Sequence, residues 1–198
     1  MAALIGRGHV VYGLTRAGSA SRLPEGARPV VGEALTAATF QDAIPRDATV
    51  VHLVGTPHPN PSKAAEFQRV DLGSIRATTS AATHAGVGHL VYVSVAHPAP
   101  VMEAYIAART EGESLVKATG IPATIVRPWY VLGPGHYWPY LLMPVYWVLG
   151  VVPSTREGAR RLGLVTRNQM VATLARAVEM PPSGVRIVEV PDIKAAII

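Results

Sequence analysis

The feature that most constrains this chain is a repeated exchange of short, continuous apolar runs with longer helical stretches. His9-Val-Val-Tyr-Gly-Leu14, Arg28-Pro-Val-Val31, Thr49-Val-Val-His-Leu-Val54, His89-Leu-Val-Tyr-Val-Ser94 and Ile121-Pro-Ala-Thr-Ile-Val126 read as strands, rich in β-branched residues. Helices are predicted around Thr36–Ala43, over 62–86 with a stop at His84-Ala-Gly86, and over Ala104–Thr119 before Gly120. Strands written without polar alternation are buried on both faces. That requires a parallel sheet with helices on each side, so the prediction is α/β, doubly wound. Ala2–Arg7 reads as the last turns of a helix closed by Gly8, with no strand ahead of it.

Composition supports a folded domain. The 198 residues are 49% hydrophobic and 16% charged, against roughly 25% charged in a typical soluble domain. Intrinsic disorder needs the opposite balance. With no cysteine, a disulfide framework, thiolate metal sites and thiol catalysis are excluded. The net charge is +5, but its densest cluster, Arg156 to Arg161, holds only three arginines, which argues against a nucleic-acid partner. His58, His84, His89, His97 and His136 show no metal-ligand spacing, so no metal site is expected.

After Pro128 the texture changes. Trp129, Tyr130, Tyr137, Trp138, Tyr140, Tyr146 and Trp147 crowd one segment, and a boundary is placed there: residues 1–128 as the main domain, 129–198 as a smaller C-terminal α+β part. Within the latter, a helix from Thr166-Arg-Asn-Gln to Glu179 and a strand Val185–Val190 are predicted. His136 to Pro153 carries no Asp, Glu, Lys or Arg but includes Pro139, Pro144 and Gly150. A spanning helix needs about 20 mostly apolar residues, so spanning is not expected. A lid over an apolar substrate, a membrane-surface helix, a homo-oligomer face and plain core packing stay open as readings. No secretory signal is visible at the start, and the expected location is the cytoplasm.

The most informative chemistry is Tyr105-Ile-Ala-Ala-Arg109 on a helix just after the strand that ends at Ser94. Spacing i, i+4 places both side chains on one helical face. A cation beside a phenol stabilises phenolate, so a lowered Tyr105 pKa is expected, and such a tyrosine can act as general acid or base. Taken alone, an ordinary surface pair is the more common meaning of this spacing.

Context sharpens it. The strand–Ser94, Tyr105-x-x-x-Arg109, Glu111-Gly-Glu113, Ile125-Val-Arg-Pro128 and Gly133-Pro-Gly135 occur in the order seen in extended and atypical short-chain dehydrogenases/reductases. So do Leu4-Ile-Gly-Arg-Gly-His9, Leu14-Thr-Arg16, Gly32-Glu33, His52-Leu-Val-Gly55 and Val70-Asp71. The chain resembles the NAD-dependent epimerase/dehydratase-like and NmrA-like members over most of residues 1–135. The resemblance implies a Rossmann-like NAD(P)-binding domain and a small-molecule substrate. It places Arg16, Glu33, Gly55, Tyr105, Arg109 and Pro128 at the cofactor, and Trp129, Tyr130 and His97 at the substrate. Tyr105, Arg109 and Ser94 would be catalytic. A basic Arg16 at the adenosine ribose favours NADP over NAD.

The departures from the family pattern are as informative. Arg109 stands where a lysine is usual, and arginine is not a conservative replacement for a compact ammonium. Asp71 replaces a common Asn, and Val95 competes with Ser94 for the catalytic hydroxyl position. The family's opening strand and Gly-x-x-Gly-x-x-Gly turn are not in the sequence, and Gly6-Arg-Gly8 follows a helix instead of opening one. That strand would be central in the 3-2-1-4-5-6 order, so two inner edges are expected to stand open. The expectation is a truncated version of a longer protein. A reductase or epimerase on an apolar carbonyl or alcohol is the leading reading. A non-catalytic nucleotide-sensing or structural subunit, or an inactive fragment, is the alternative.

Overall fold

The computed structural model describes residues 1–99, 101–133 and 161–196. Its centre is a parallel sheet of four strands in the order β3-β4-β5-β8: β3 (Thr49–His52), β4 (His89–Val93), β5 (Ala123–Val126) and β8 (Val185–Val188). Registers run Thr49 opposite His89, Leu90 opposite Ala123, and Ala123 opposite Val185. Every residue of β5 is buried, as the unbroken apolar run required.

Helices cover both faces. On one, α2 (64–85) and α3 (Glu103–Ala118) enclose Leu72, Ile75, Leu90, Tyr92, Val116 and Ile125. On the other, α4 (Arg167–Glu179) and α5 (Val190–Ala195) close over Val91, Val126, Met170, Val190 and Ile193. Helix α4 starts with a capping box in which the Thr166 hydroxyl and the Gln169 side chain satisfy each other's backbone N–H groups. Residues beyond 128 therefore supply one strand of the main sheet and both helices that cover this face. A separate pair, β6 (Tyr130–Leu132) with β7 (Leu164–Thr166), stands beside it. The aromatic segment 136–153 lies outside the described residues. Among those described, no helix is long and apolar enough to cross a membrane.

Two local elements differ from the sequence expectation. Instead of one helix, Thr36–Ala43 forms two 3₁₀ turns, Ala37–Thr39 and Gln41–Ala43, interrupted at Phe40, whose ring is buried. The long helix α2 is not uniform: one turn over Ala64–Glu66 widens into π turns over Phe67–Leu72 and then continues as Gly73–Ala85. Apolar periodicity predicts a helix but not a change in its pitch. The wider turns bury Phe67, Asp71 and Leu72 together.

The sheet is interrupted. After the short helix α1 (Ala2–Ile5), β1 (Tyr12–Thr15) pairs only with β2 (Arg28–Val31), in parallel, and β3 pairs only with β4 among the described residues. Both β1 and β3 border one cleft of about 970 Å³.

Candidate active site

The carboxyl ends of β3 and β4 and the facing turns of α2 and α3 converge on a buried ion pair. Asp71, on the π turns of α2, has no exposed side-chain surface. Its Oδ2 accepts from the Thr56 backbone N–H at 3.0 Å and from the Thr56 hydroxyl at 2.6 Å, in the loop after β3. Its Oδ1 lies 2.7 Å from Arg109 Nη2. Arg109 Nη1 donates to the Val93 carbonyl at 2.9 Å, at the end of β4. Two chain segments and a strand end are thus tied by one carboxylate and one guanidinium. Satisfaction is incomplete: Asp71 Oδ1 has charge contact but no hydrogen bond of good angle, and Arg109 Nε is buried without a partner.

Gly55 makes this arrangement possible. A Cβ there would run into the Arg109 guanidinium and crowd Asp71. Gly112 does the same for Tyr92, whose hydroxyl donates to the Arg109 carbonyl at 3.4 Å and occupies the space of a missing methyl group.

Tyr105 and Arg109 do share a face, as their spacing requires. The guanidinium carbon lies 5.3 Å from the Tyr105 ring centre, and the Phe67 ring packs on Tyr105 at 5.0 Å and 58°. The expected lowering of the phenol pKa does not occur. Burial raises it, and the opposing pull of Arg109 is smaller, being offset by the carboxylate of Asp71. Tyr105 is therefore a neutral phenol with a proton to give. It borders a cavity of about 290 Å³ whose other walls include Pro61, Phe67, Val101 and Met102.

Ser94 belongs to a different network. Its hydroxyl donates to Glu113 Oε1 at 2.7 Å, and no hydrogen bond joins it to Tyr105 among the described residues. Glu113, almost fully buried, also takes a two-point grip from Arg127, Nε to Oε1 at 2.8 Å and Nη2 to Oε2 at 2.6 Å. Arg127 reaches on to Glu189 at 2.9 Å, and His97 approaches Glu113 at 3.4 Å. Burial pushes the Glu113 carboxyl up, but the hydrogen bonds from Arg127 and Ser94 outweigh it and hold it below the usual range.

The remaining predicted residues spread along the carboxyl edge of the sheet. Arg16 follows β1 and is exposed, and Glu33 follows β2, its backbone N–H bound to the Thr39 hydroxyl at 2.9 Å. Pro128 is buried and accepts from the Ala96 N–H at 2.8 Å, while Trp129 and Tyr130 meet edge to face at 5.4 Å. The residues predicted for the cofactor thus lie toward the carboxyl ends of the strands, the side on which open α/β folds bind ligands.

Comparison with known proteins gives the family and the fold. Residues 1–135 match the model of a family described as NAD(P)H-binding. The chain belongs to that family. No curated protein matches it in sequence. Among solved structures, the Bordetella bronchiseptica enzyme WbmH in complex with NAD+ has the same fold, with TM-score 0.68, 18% identity and coverage of 95% of this chain and 69% of that one. A short-chain dehydrogenase/reductase superfamily protein from Agrobacterium tumefaciens with bound NAD gives 0.65, 18%, 95% and 72%. A Thermus thermophilus UDP-glucose 4-epimerase complex with NAD gives 0.63, 15%, 98% and 76%. The family and the fold resemblance together support a nicotinamide dinucleotide as the cofactor class.

The residues fit that group in part. Arg109 Nε is a buried donor still lacking an acceptor, and the space of the missing Gly55 side chain is taken by the Arg109 guanidinium. The other Arg109 donors are committed to Asp71 and Val93. Sequence reasoning does not single out Asp71, Thr56, Glu113 and Arg127 for the site. Asp71 carries one signal, its place where the family has Asn; Glu113 and Arg127 fall within motifs that serve only as landmarks. Among the described residues no group of three or more His, Asp or Glu is placed to hold a metal ion.

Proposed function

We propose that this NAD(P)H-binding protein is an oxidoreductase or epimerase whose substrate is a small, apolar carbonyl compound or alcohol. The observation that carries the reading is the placement of Tyr105, a protonated phenol held between Phe67 and Arg109 and bordering a cavity lined by Pro61, Phe67, Val101, Met102 and Ala104, with Glu103 at its wall. When bound, the nicotinamide supplies or accepts hydride. The chain's own residues do the rest. Tyr105 Oη gives its proton to a carbonyl oxygen during reduction, or recovers one from an alcohol in the reverse direction. Arg109 keeps the phenol oriented and limits the cost of transient phenolate. Pro61, Phe67, Val101 and Met102 offer the apolar contacts that favour an apolar substrate group. Gly55 and Arg109 border the cofactor on the ribose side. Arg16, exposed after β1, favours the 2′-phosphate of NADP.

The test is a panel of apolar ketones and aldehydes with NADPH and NADH, followed by the loss of reduced-nicotinamide absorbance. Turnover that falls at least ~100-fold in Tyr105→Phe supports the role of the phenol. Unchanged turnover in that variant contradicts it.

A second reading has its own observation. Arg109 is engaged by Asp71 and Val93, and Ser94 by Glu113, so two of the three predicted catalytic groups serve internal contacts. That arrangement suits a protein that binds the nucleotide without turning over substrate. Saturable cofactor binding with no turnover on the panel distinguishes it.

A further inference from the structure

Arginine at position 109 brings a charge that cannot be switched off. A guanidinium keeps its proton at any pH the fold meets, whereas a buried ammonium can shed one. Left alone, 5.3 Å from the centre of the Tyr105 ring, that charge would favour phenolate. A counter-charge stands against it. Asp71 Oδ1 lies 2.7 Å from Arg109 Nη2, and the Asp71 side chain has no exposed surface. Its other oxygen accepts from the Thr56 N–H at 3.0 Å and from the Thr56 hydroxyl at 2.6 Å, which pins the carboxylate in place. Arg109 Nη1 is pinned in turn by the Val93 carbonyl at 2.9 Å. Seen from Tyr105, the two buried charges act as a dipole and not as a cation.

The other neighbours leave this pair in control. Phe67 packs on Tyr105 without charge. Tyr92 of β4, its ring 6.0 Å from the guanidinium carbon, is itself a neutral phenol pushed up to about 12, chiefly by burial. Glu103 shares the wall of the Tyr105 cavity but is exposed to solvent, and Lys63 and Glu66 answer each other at 3.9 Å.

Taking the acid role given to Tyr105 above, we infer that Asp71 is a positioning residue for the reaction: its carboxylate silences Arg109 and holds Tyr105 as a proton donor, so that the site serves carbonyl reduction in preference to alcohol oxidation. In reduction the carbonyl carbon receives hydride from the reduced nicotinamide, the C=O π pair moves onto oxygen, and that oxygen takes the Tyr105 proton. The phenolate left behind regains a proton from water. Oxidation of an alcohol needs the phenolate before the step begins. That form is scarce near neutral pH in a phenol raised first by burial and further by Asp71.

The test follows Tyr105 itself, by NMR of the chain labelled with carbon-13 at the phenol carbon of tyrosine. Its signal is assigned by its loss in Tyr105→Phe. The ionisation midpoint is read without cofactor in the parent, Asp71→Asn, Arg109→Gln and the double variant. Asp71→Asn leaves the phenol beside an unanswered cation, and its midpoint is expected to fall by at least ~1 pH unit. Arg109→Gln stays at or above the parent. The double variant, with neither charge, stays within ~0.5 pH unit of the parent. It buries no unpaired charge, so it decides the role of Asp71 even where Asp71→Asn is too unstable to titrate. A structural loosening would instead lower the midpoint in every variant, because exposure returns a phenol to its ordinary range. An unchanged midpoint in Asp71→Asn, or a fall in the double variant, overturns the inference. Where a ketone is turned over, Asp71→Asn also moves the alkaline limit of reduction to lower pH by the same shift. No turnover in any chain counts against the proposed reaction, whereas the midpoints still decide what Asp71 does.

Discussion

Arg109 and Asp71 form an ion pair of 2.7 Å with side-chain exposures of 7% and 0%, its guanidinium carbon 5.3 Å from the centre of the Tyr105 ring. The pair combines two departures from the family pattern, Arg for Lys and Asp for Asn, in one contact. Each change makes physical sense with the other. A buried guanidinium needs a counter-charge, and a buried carboxylate needs donors.

Breaking the pair from one side is therefore costly. Asp71→Ala strands the Arg109 charge and removes the acceptor for Thr56, and is expected to destabilise the fold by about 3–5 kcal/mol. Asp71→Asn keeps the shape and the Thr56 contact and should cost less. Urea denaturation of both variants checks the order; equal losses would contradict it.

Gly55→Ala tests the close approach from the other side. Its methyl group meets a guanidinium that is pinned by Asp71 and Val93 and cannot swing away freely. The expected result is a loss of about 1–3 kcal/mol by overpacking, partly relieved when Arg109 is shortened to lysine in the same chain. Thermal melts of the two singles and the double give the coupling. Strict additivity would contradict it.

The charge network at Ser94 predicts a third effect. Glu113→Gln removes the carboxylate that binds Ser94 and grips Arg127 at two points. A loss of about 2–4 kcal/mol is expected. Cofactor affinity should stay within a few-fold of the parent, because this network lies apart from the Asp71–Arg109 pair. A fluorescence titration alongside the melt separates the two readouts.

Acid sensitivity follows from two buried histidines. His52, hydrogen-bonded to Thr78 and Ser74, is pushed from 6.5 down to about 3, chiefly by burial and then by Arg109. His89 falls to about 4 through burial and Arg186. Below pH 6.5 the unfolded chain takes up protons that the folded chain refuses, so stability declines as pH falls from 6.5 toward 4. The slope is about 1.4 kcal/mol per pH unit for each histidine. Glu113, whose carboxyl is held low when folded, adds a loss of the same sign at more acid pH. Denaturation curves at several pH values check this, and His52→Gln should lower the slope.

Much of this architecture was legible from the residues. Unbroken apolar runs such as His89–Val93 and Ala123–Val126 announce two-sided burial, whereas Thr49–His52 is mostly half-buried and Leu53 stands exposed; the Tyr105–Arg109 spacing fixes a shared face on α3. What escaped were properties of tertiary contact. The π turns that bury Asp71 depend on packing against α3, not on periodicity. The raised Tyr105 pKa depends on burial and then on the carboxylate of Asp71, which lies far from it in sequence. Ser94 could be placed at a strand end, but which way its hydroxyl points is decided by Glu113, nineteen residues on. Strand Val185–Val188 showed itself as a strand, yet nothing local says that it extends the main sheet beside β5.

The central claim, that the site around Gly55, Tyr105 and Arg109 holds a nicotinamide dinucleotide, is tested most directly by titrating the 198-residue chain with NADPH and NADH while following tryptophan fluorescence. The account predicts saturable micromolar binding, tighter for NADPH, and weakened at least ~10-fold in Gly55→Val, whose side chain would displace the Arg109 guanidinium. A folded, monodisperse chain that binds neither nucleotide, or binds equally well with valine at that position, would contradict it.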